Sequence, residues 1–211
     1  RGRAELLQGQ ISGNEPAKKN LNIIITQIDR ISQLIHSLLK VSRVPDGTLL
    51  RDVNLKEIVT EVQILMGEAC RKSNINMINE IPDIQVAAEP NHLHQALLNL
   101  IINSVHSINE KKLKQPDMAN DSHDFVRISS ILKNENVEIT IQDSGAGISK
   151  DNLQKIFQPF FTTKAAGEGT GMGLAIAIKQ IEDMKGKMSA HSDGIGTGAS
   201  FIITLRASLR A

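Results

Sequence analysis

The chain has 211 residues, 40% of them hydrophobic, enough for one or two domains with a substantial core. Its 24 Lys and Arg against 23 Asp and Glu leave a formal charge of +1, which supplies no global field toward nucleic acid or an anionic membrane, so any phosphate site must be local. The single cysteine, Cys70, excludes an intramolecular disulfide and a tetrahedral thiolate metal centre, and points to a reducing, cytoplasmic setting.

No apolar run approaches the ~20 residues a membrane-spanning helix needs, and Arg1-Gly2-Arg3 lacks the apolar middle of a signal peptide. The chain does not begin with Met, so it is expected to be a piece of something longer, and a parent anchored in a membrane is compatible with it. Tyr and Trp are absent, and three of the five Phe stand at 157, 160 and 161, a clustering that reads as a local task or as a small hydrophobic knot.

In chain order, Ala4 to Gln8 reads as the tail of a helix. Asn14 to Arg43 reads as a long helix in which Leu21, Ile24, Ile25, Ile28, Ile31, Leu34, Ile35, Leu38 and Val41 recur at three- and four-residue steps. Such a stripe wants partner helices. Val44-Pro45-Asp46-Gly47 carries turn chemistry and marks the domain boundary, giving regions 1–47 and 48–211. Beyond it the pattern predicts a strand near Asp52 to Asn54, a helix over Leu55 to Lys72, and strands Asn76 to Ile81 and Ile84 to Ala88 joined by a Pro82-Asp83 turn. Pro90 opens a helix to about Glu110, and Lys111 to Asp124 is a polar loop. Phe125 to Leu132 and Val137 to Gln142 alternate around Lys133-Asn-Glu-Asn136 as a hairpin. A glycine-rich stretch precedes a helix over Gly171 to Met184, then strands Met188 to Ser192 and Ser200 to Leu205. Hairpins beside helices predict an α+β fold, a sheet with helices on one face.

Three constellations carry chemistry. Asp143-Ser-Gly145-Ala-Gly147-Ile148 follows an alternating strand; the glycines let backbone approach a flat ring, and the carboxylate accepts from a ring edge presenting an amino donor, as adenine does. Alone, this motif reads more readily as an ordinary Asp/Gly turn. Gly167-Glu-Gly169-Thr170-Gly171-Met172-Gly173-Leu174 runs into a helix, so its free backbone N–H groups and the helix dipole suit phosphate oxygens, although a flexible linker has a similar composition. It matches neither the P-loop nor the dinucleotide glycine motif. Asn99, Asn103 and His106 stand at i, i+4 and i+7 on one face of an otherwise apolar helix; amide oxygens are hard ligands suited to Mg²⁺, while caps for neighbouring backbone are the bland alternative.

Taken in order, Asn99 and Asn103, then Asp143-x-Gly145-x-Gly147, then Phe157-Gln-Pro-Phe160-Phe161-Thr-Thr-Lys164, then Gly169-Thr-Gly-Met-Gly-Leu174 resemble the N, G1, F and G2 boxes of two-component sensor histidine kinases. The resemblance covers about residues 50 to 206 and implies a Bergerat-type two-layer α/β sandwich, with a mixed, mostly antiparallel sheet, that binds ATP and Mg²⁺. It implies that Asn103 coordinates Mg²⁺ with Asn99 in support, that His106 contacts phosphate, and that Asp143 accepts from adenine in a pocket shaped by Gly145, Gly147 and Ile148. Phe157, Phe160 and Phe161 would anchor a mobile lid over roughly Phe161 to Gly169, from which Lys164 reaches the γ-phosphate. Thr170, Gly171, Met172, Gly173 and Leu174 would supply the phosphate-binding helix start, and Ser200 would lie near the adenine.

The same resemblance makes the helix 14–43 the second helix of the family's dimerisation and phosphotransfer hairpin, with Gly2-Arg-Ala-Glu-Leu-Leu7 closing the first. The phosphoaccepting histidine of that hairpin would fall before Arg1. None of the six histidines here has the acidic neighbour and downstream Pro of the acceptor box, so no catalytic acceptor is assigned, and His36 reads as a solvent-facing or interface residue. Where ATPase relatives place a water-activating Glu, this chain has Asn99, and an amide takes no proton at neutral pH. The implied activity is therefore ATP-dependent histidine phosphorylation, in a homodimer that passes the phosphoryl to a response-regulator Asp. This fragment would not autophosphorylate. The alternatives are a Bergerat-fold ATPase and a nucleotide-binding interaction module without transferase activity.

Overall fold

A computed structural model describes residues 17–21, 23–25, 49–114, 124–164 and 169–208. The chain divides into two compact units, Arg1–Val44 and Pro45–Ala211. In the first, residues 17–21 and 23–25 are helical, with Leu21 buried and Ile23 and Ile24 exposed. The rest of the expected hairpin helix, His36 and the turn at 44–47 lie outside the described residues, as do 115–123 and 165–168.

In the second unit, strand β1 (Arg51–Asn54) leads directly into helix α1 (Leu55–Lys72). Asn54 makes that junction: its side-chain oxygen accepts from the N–H groups of Lys56 and Glu57 at 3.0 and 3.3 Å, and its amide donates to Asp83 at 2.8 Å. α1 buries Ile58, Val59, Val62, Met66 and Cys70 along one stripe, and ends where Asn74 turns at φ 51°. Strands β2 (Asn76–Glu80) and β3 (Gln85–Ala88) follow, then helix α2 (Pro90–Lys114). Pro90 needs no intrahelical N–H partner at that position, and the Glu89 carboxylate accepts from the His92 N–H at 2.6 Å. Strands β4 (Phe125–Lys133) and β5 (Asn136–Asp143), short helix α3 (Lys150–Leu153), helix α4 (Gly173–Asp183), and strands β6 (Lys187–His191) and β7 (Ala199–Arg206) complete the unit.

The main sheet has the order β2-β4-β5-β7-β6, in which β2 is parallel to β4 and every other pairing is antiparallel. Alternate residues of β4, β5 and β7 (Val126, Ile128, Val137, Ile139, Ile141, Phe201, Ile203, Leu205) form one core with Leu93, Leu97, Leu100 and Ile101 of α2 and with α1 and α4. This is the expected α+β arrangement, a mixed sheet covered by helices.

Three details differ from the sequence reading. The strands flanking Pro82-Asp83 do not pair with each other: β2 joins the edge of the main sheet, and β3 pairs with β1, held also by a Val86–Ala207 bridge. Such long-range pairing leaves no local signature. α2 runs one turn past Glu110, because Lys112 bonds Asp124 at 2.9 Å and the Ser73 carbonyl at 2.6 Å, fixing what reads locally as polar loop. α4 starts at Gly173, not Gly171, whose φ of 66° is incompatible with a right-handed helix.

Leu97 is fully buried under the sheet. Leu97→Ala is expected to cost about 2–5 kcal/mol of unfolding free energy in chemical denaturation.

Candidate functional site

At the end of β5 the chain buries a carboxylate: Asp143 is 3% exposed. Oδ1 accepts from the Gly145 N–H at 2.9 Å and Oδ2 from the Ser104 hydroxyl at 3.1 Å, and the Ala199 backbone N–H of the paired strand adds a third donor. Burial pushes the Asp143 carboxyl above its ordinary value, and these donors, with the positive charge of Lys111, pull it back. Lys111 also donates to the Ser144 carbonyl at 2.9 Å.

The loop after Asp143 is held by backbone contacts too close for side chains. A Cβ on Gly145 would strike Ser107 of α2, and the Ala146 N–H donates to the Ser107 hydroxyl at 3.0 Å. Gly147, at φ 71°, lies against the Gly194 carbonyl, where a Cβ would collide. Gly196 and Gly198 return hydrogen bonds to the carbonyls of Ala146 and Gly145 at 2.6 and 3.1 Å. Ile148 is half-buried and packs on the core.

A second interlock joins the phenylalanine cluster to the glycine run. Phe160 stands at φ 67° with its N–H donating to the Gly171 carbonyl at 3.0 Å, and a Cβ on Gly171 would meet the Phe160 backbone. Phe157 and Phe161 pack on the core, whereas Phe160 is 57% exposed. The space beside Gly169 is taken by Thr162 and Lys164, and Thr170 accepts from the Met172 N–H at 3.3 Å. Met172 is buried, Leu174 packs on the core, and a Cβ on Gly173 would stand 3.8 Å from Nδ2 of Asn103.

Asn103 thus faces the start of α4, while its neighbour Ser104 holds Asp143. Asn99 is half-buried one turn earlier and accepts from Gln95 at 3.3 Å. His106 is exposed on α2 and Lys164 is half-buried before residues 165–168. Ser200 is corrected. It pairs with Gln142 while Ala199 pairs with Asp143, so the pleat puts the Ser200 side chain on the opposite face of the sheet from the carboxylate. The residues that sequence reasoning missed are Ser104 and Ser107, common residue types whose only local signal is Ser104 standing directly after Asn103.

Among the described residues no group of three or more His, Cys, Asp or Glu converges on a point that would hold a metal ion. The side-chain amide of Asn103 stands beside the start of α4, and its oxygen is a hard donor that would suit Mg²⁺ of the kind that arrives with phosphates, with the remaining ligands left to phosphate and water. Among the described residues no helix is long and apolar enough to cross a membrane.

Residues 88–209 match the family described as histidine kinase-, DNA gyrase B-, and HSP90-like ATPase. Sporulation kinase E of Bacillus subtilis (strain 168) is 30% identical over 209 residues, which are 97% of this chain but 26% of that protein. The chain therefore spans about a quarter of that relative's length. The nucleotide-free catalytic domain of the histidine kinase ThkA superposes with a TM-score of 0.62 at 31% identity, covering 75% of this chain and 96% of that one. ThkA in complex with the response regulator TrrA gives a TM-score of 0.68 at 27% identity, over 98% and 56% of the two chains. With its boxes interlocked on this sheet in this order, the chain belongs to the histidine kinase-, DNA gyrase B-, and HSP90-like ATPase family and is homologous to the sensor histidine kinases.

Proposed function

We propose that this chain binds Mg-ATP and serves as the phosphoryl-donating part of a cytoplasmic protein histidine kinase in a two-component system. The observation that carries the reading is that Ser104 of α2 holds the buried Asp143 while its neighbour Asn103 faces the start of α4 at Gly173. An ionised carboxylate only accepts hydrogen bonds, so Asp143 selects an amino-bearing ring edge over a carbonyl-bearing one. Gly145 and Gly147 keep backbone, not side chains, along the ring. Asn103 would hold the ion with the phosphates, with Asn99 in support one turn earlier, and free N–H groups at the start of α4 would meet the phosphate oxygens with the helix dipole behind them. When bound, Mg²⁺ neutralises charge on the triphosphate. His106 and Lys164 would add positive charge near the phosphates.

The acceptor is a neutral imidazole nitrogen outside these 211 residues. Its lone pair forms the N–P bond as the bond from the γ-phosphorus to the bridging oxygen breaks, and ADP leaves. Positioning and charge neutralisation are the whole of the protein's contribution. Hydrolysis is the weaker reading, because Asn99 is an amide bonded by another amide, Gln95, and neither takes a proton from water. The chemistry of the product, a labile phosphoramidate, suits relay to an aspartate of a response regulator, and the ThkA–TrrA complex supports such a partner. The apolar stripe read in helix 14–43 supports a homodimer.

Asn103→Ala is expected to abolish Mg-ATP binding while the thermal melt stays native. With a hairpin domain bearing its histidine supplied in trans and γ-labelled Mg-ATP, the wild-type chain is expected to give acid-labile protein phosphate, and rapid free phosphate instead would overturn the kinase reading. Binding should also depend on pH with a defined sign. Because the Asp143 carboxyl is raised, adenine-nucleotide affinity falls on acidification at a pH above the ordinary aspartate range. Ser104→Ala removes a donor to the ionised form and moves that midpoint further up, readable by nucleotide titration across pH. Without nucleotide the sign for stability is opposite: the folded state holds a proton that the unfolded chain has released, so this group favours folding as pH falls through its raised value toward the ordinary one.

A further inference from the structure

We propose that Ser192 is a positioning residue for the nucleotide, the hydroxyl that couples the glycine loop between β6 and β7 to the loop after Asp143. This rests on the nucleotide-site reading above. Ser192 is 8% exposed, directly after β6, and the segment Ser192-Asp-Gly-Ile-Gly-Thr197 plays no part in the N, G1, F and G2 boxes. Its hydroxyl accepts from the Ile148 N–H at 3.0 Å and from the Gly194 N–H at 3.3 Å. It donates to the Gly198 carbonyl at 2.7 Å, with the Gly194 carbonyl at 3.2 Å as the competing acceptor. A hydroxyl has one proton and two lone pairs, so this one works at full capacity.

The partners belong to two segments far apart in sequence. Ile148 closes the loop after Asp143, and Gly194 and Gly198 bound the β6–β7 loop. Gly194 is in turn the residue whose carbonyl leaves no room for a Cβ on Gly147. Fixing Gly194 and Ile148 to one oxygen therefore fixes Gly147 between them, and Gly147 is the backbone that would lie along the adenine ring. The two backbone bonds from Gly196 and Gly198 to Ala146 and Gly145 hold the near end of the same seam. Ser192 holds the far end. Removing its hydroxyl leaves two N–H groups and a carbonyl in a mostly buried place without that partner.

A loop-stability role and a positioning role are separated by Thr197. Its hydroxyl donates to the Gly194 carbonyl at 2.8 Å from the exposed side, a bond within the β6–β7 loop itself. Ser192→Ala is expected to weaken binding of a fluorescent Mg-ATP analogue about tenfold, roughly the effect of one to two hydrogen bonds. It should also speed hydrogen exchange at the Ile148 amide. Thr197→Ala is expected to leave both within about twofold, and Ser192→Thr, which keeps the hydroxyl, to restore affinity. If Ser192→Ala does not fold, Ser192→Cys keeps the volume with a weaker donor and carries the same comparison. Equal losses in the Ser192 and Thr197 variants, or none in either, would overturn the proposal. A wild-type chain that binds no adenine nucleotide would instead remove the nucleotide reading, and faster exchange at Ile148 in Ser192→Ala would still show the coupling of the two loops.

Discussion

A carboxylate kept almost wholly from water at the end of β5 sets the conditions for the rest of the structure. Burying Asp143 is unfavourable unless donors replace the lost hydration, and three separate pieces of chain provide them. Ser104 must arrive on α2, Gly145 on the loop that follows, and Ala199 on β7 in the register that pairs it with Asp143. Those requirements fix where α2 crosses the sheet and which residues of β5 and β7 face it. The apolar packing of Leu97, Leu100 and Ile101 supplies the stability, but the carboxylate selects the alignment.

Once that alignment exists, the glycines follow from steric necessity at two contacts. Gly147 lies against Gly194, and Gly171 lies against Phe160, each with a positive φ and with partner backbone where a Cβ would be. Backbone packed on backbone leaves N–H groups and flat surface available to a ligand, which side chains would otherwise cover. Phe160 has a positive φ without being glycine, and such strain is held by surrounding structure, here the bond to Gly171 and the packed Phe157 and Phe161 beside it.

Much of this was legible in the sequence because box residues are rare in their combinations. The alternation of β5, the isolated Asp143 with its glycines, and the paired amides of α2 each have a local pattern, and their order identifies the family. What was not legible depends on contacts between distant segments. Ser104, Ser107 and Ser192 are ordinary serines until α2 and the β6–β7 loop are brought to the carboxylate. The position of Ser200 fails for a simpler reason: strand side chains alternate, so an error of one residue moves a side chain across the sheet, and Ala199 is the residue in phase with Asp143. The partners of β2 and β3 and the extra turn of α2 were likewise decided by Phe125, Val53, Asp124 and Ser73, none of them local.

The most direct measurement is a crystal structure of the chain with a non-hydrolysable Mg-ATP analogue. The amino group of the adenine is expected about 2.7–3.2 Å from the Asp143 carboxylate, with the triphosphate at the start of α4 beside Asn103. A base seated elsewhere, or seated here with no hydrogen bond to Asp143, would contradict the claim that this buried carboxylate is what the site is built around.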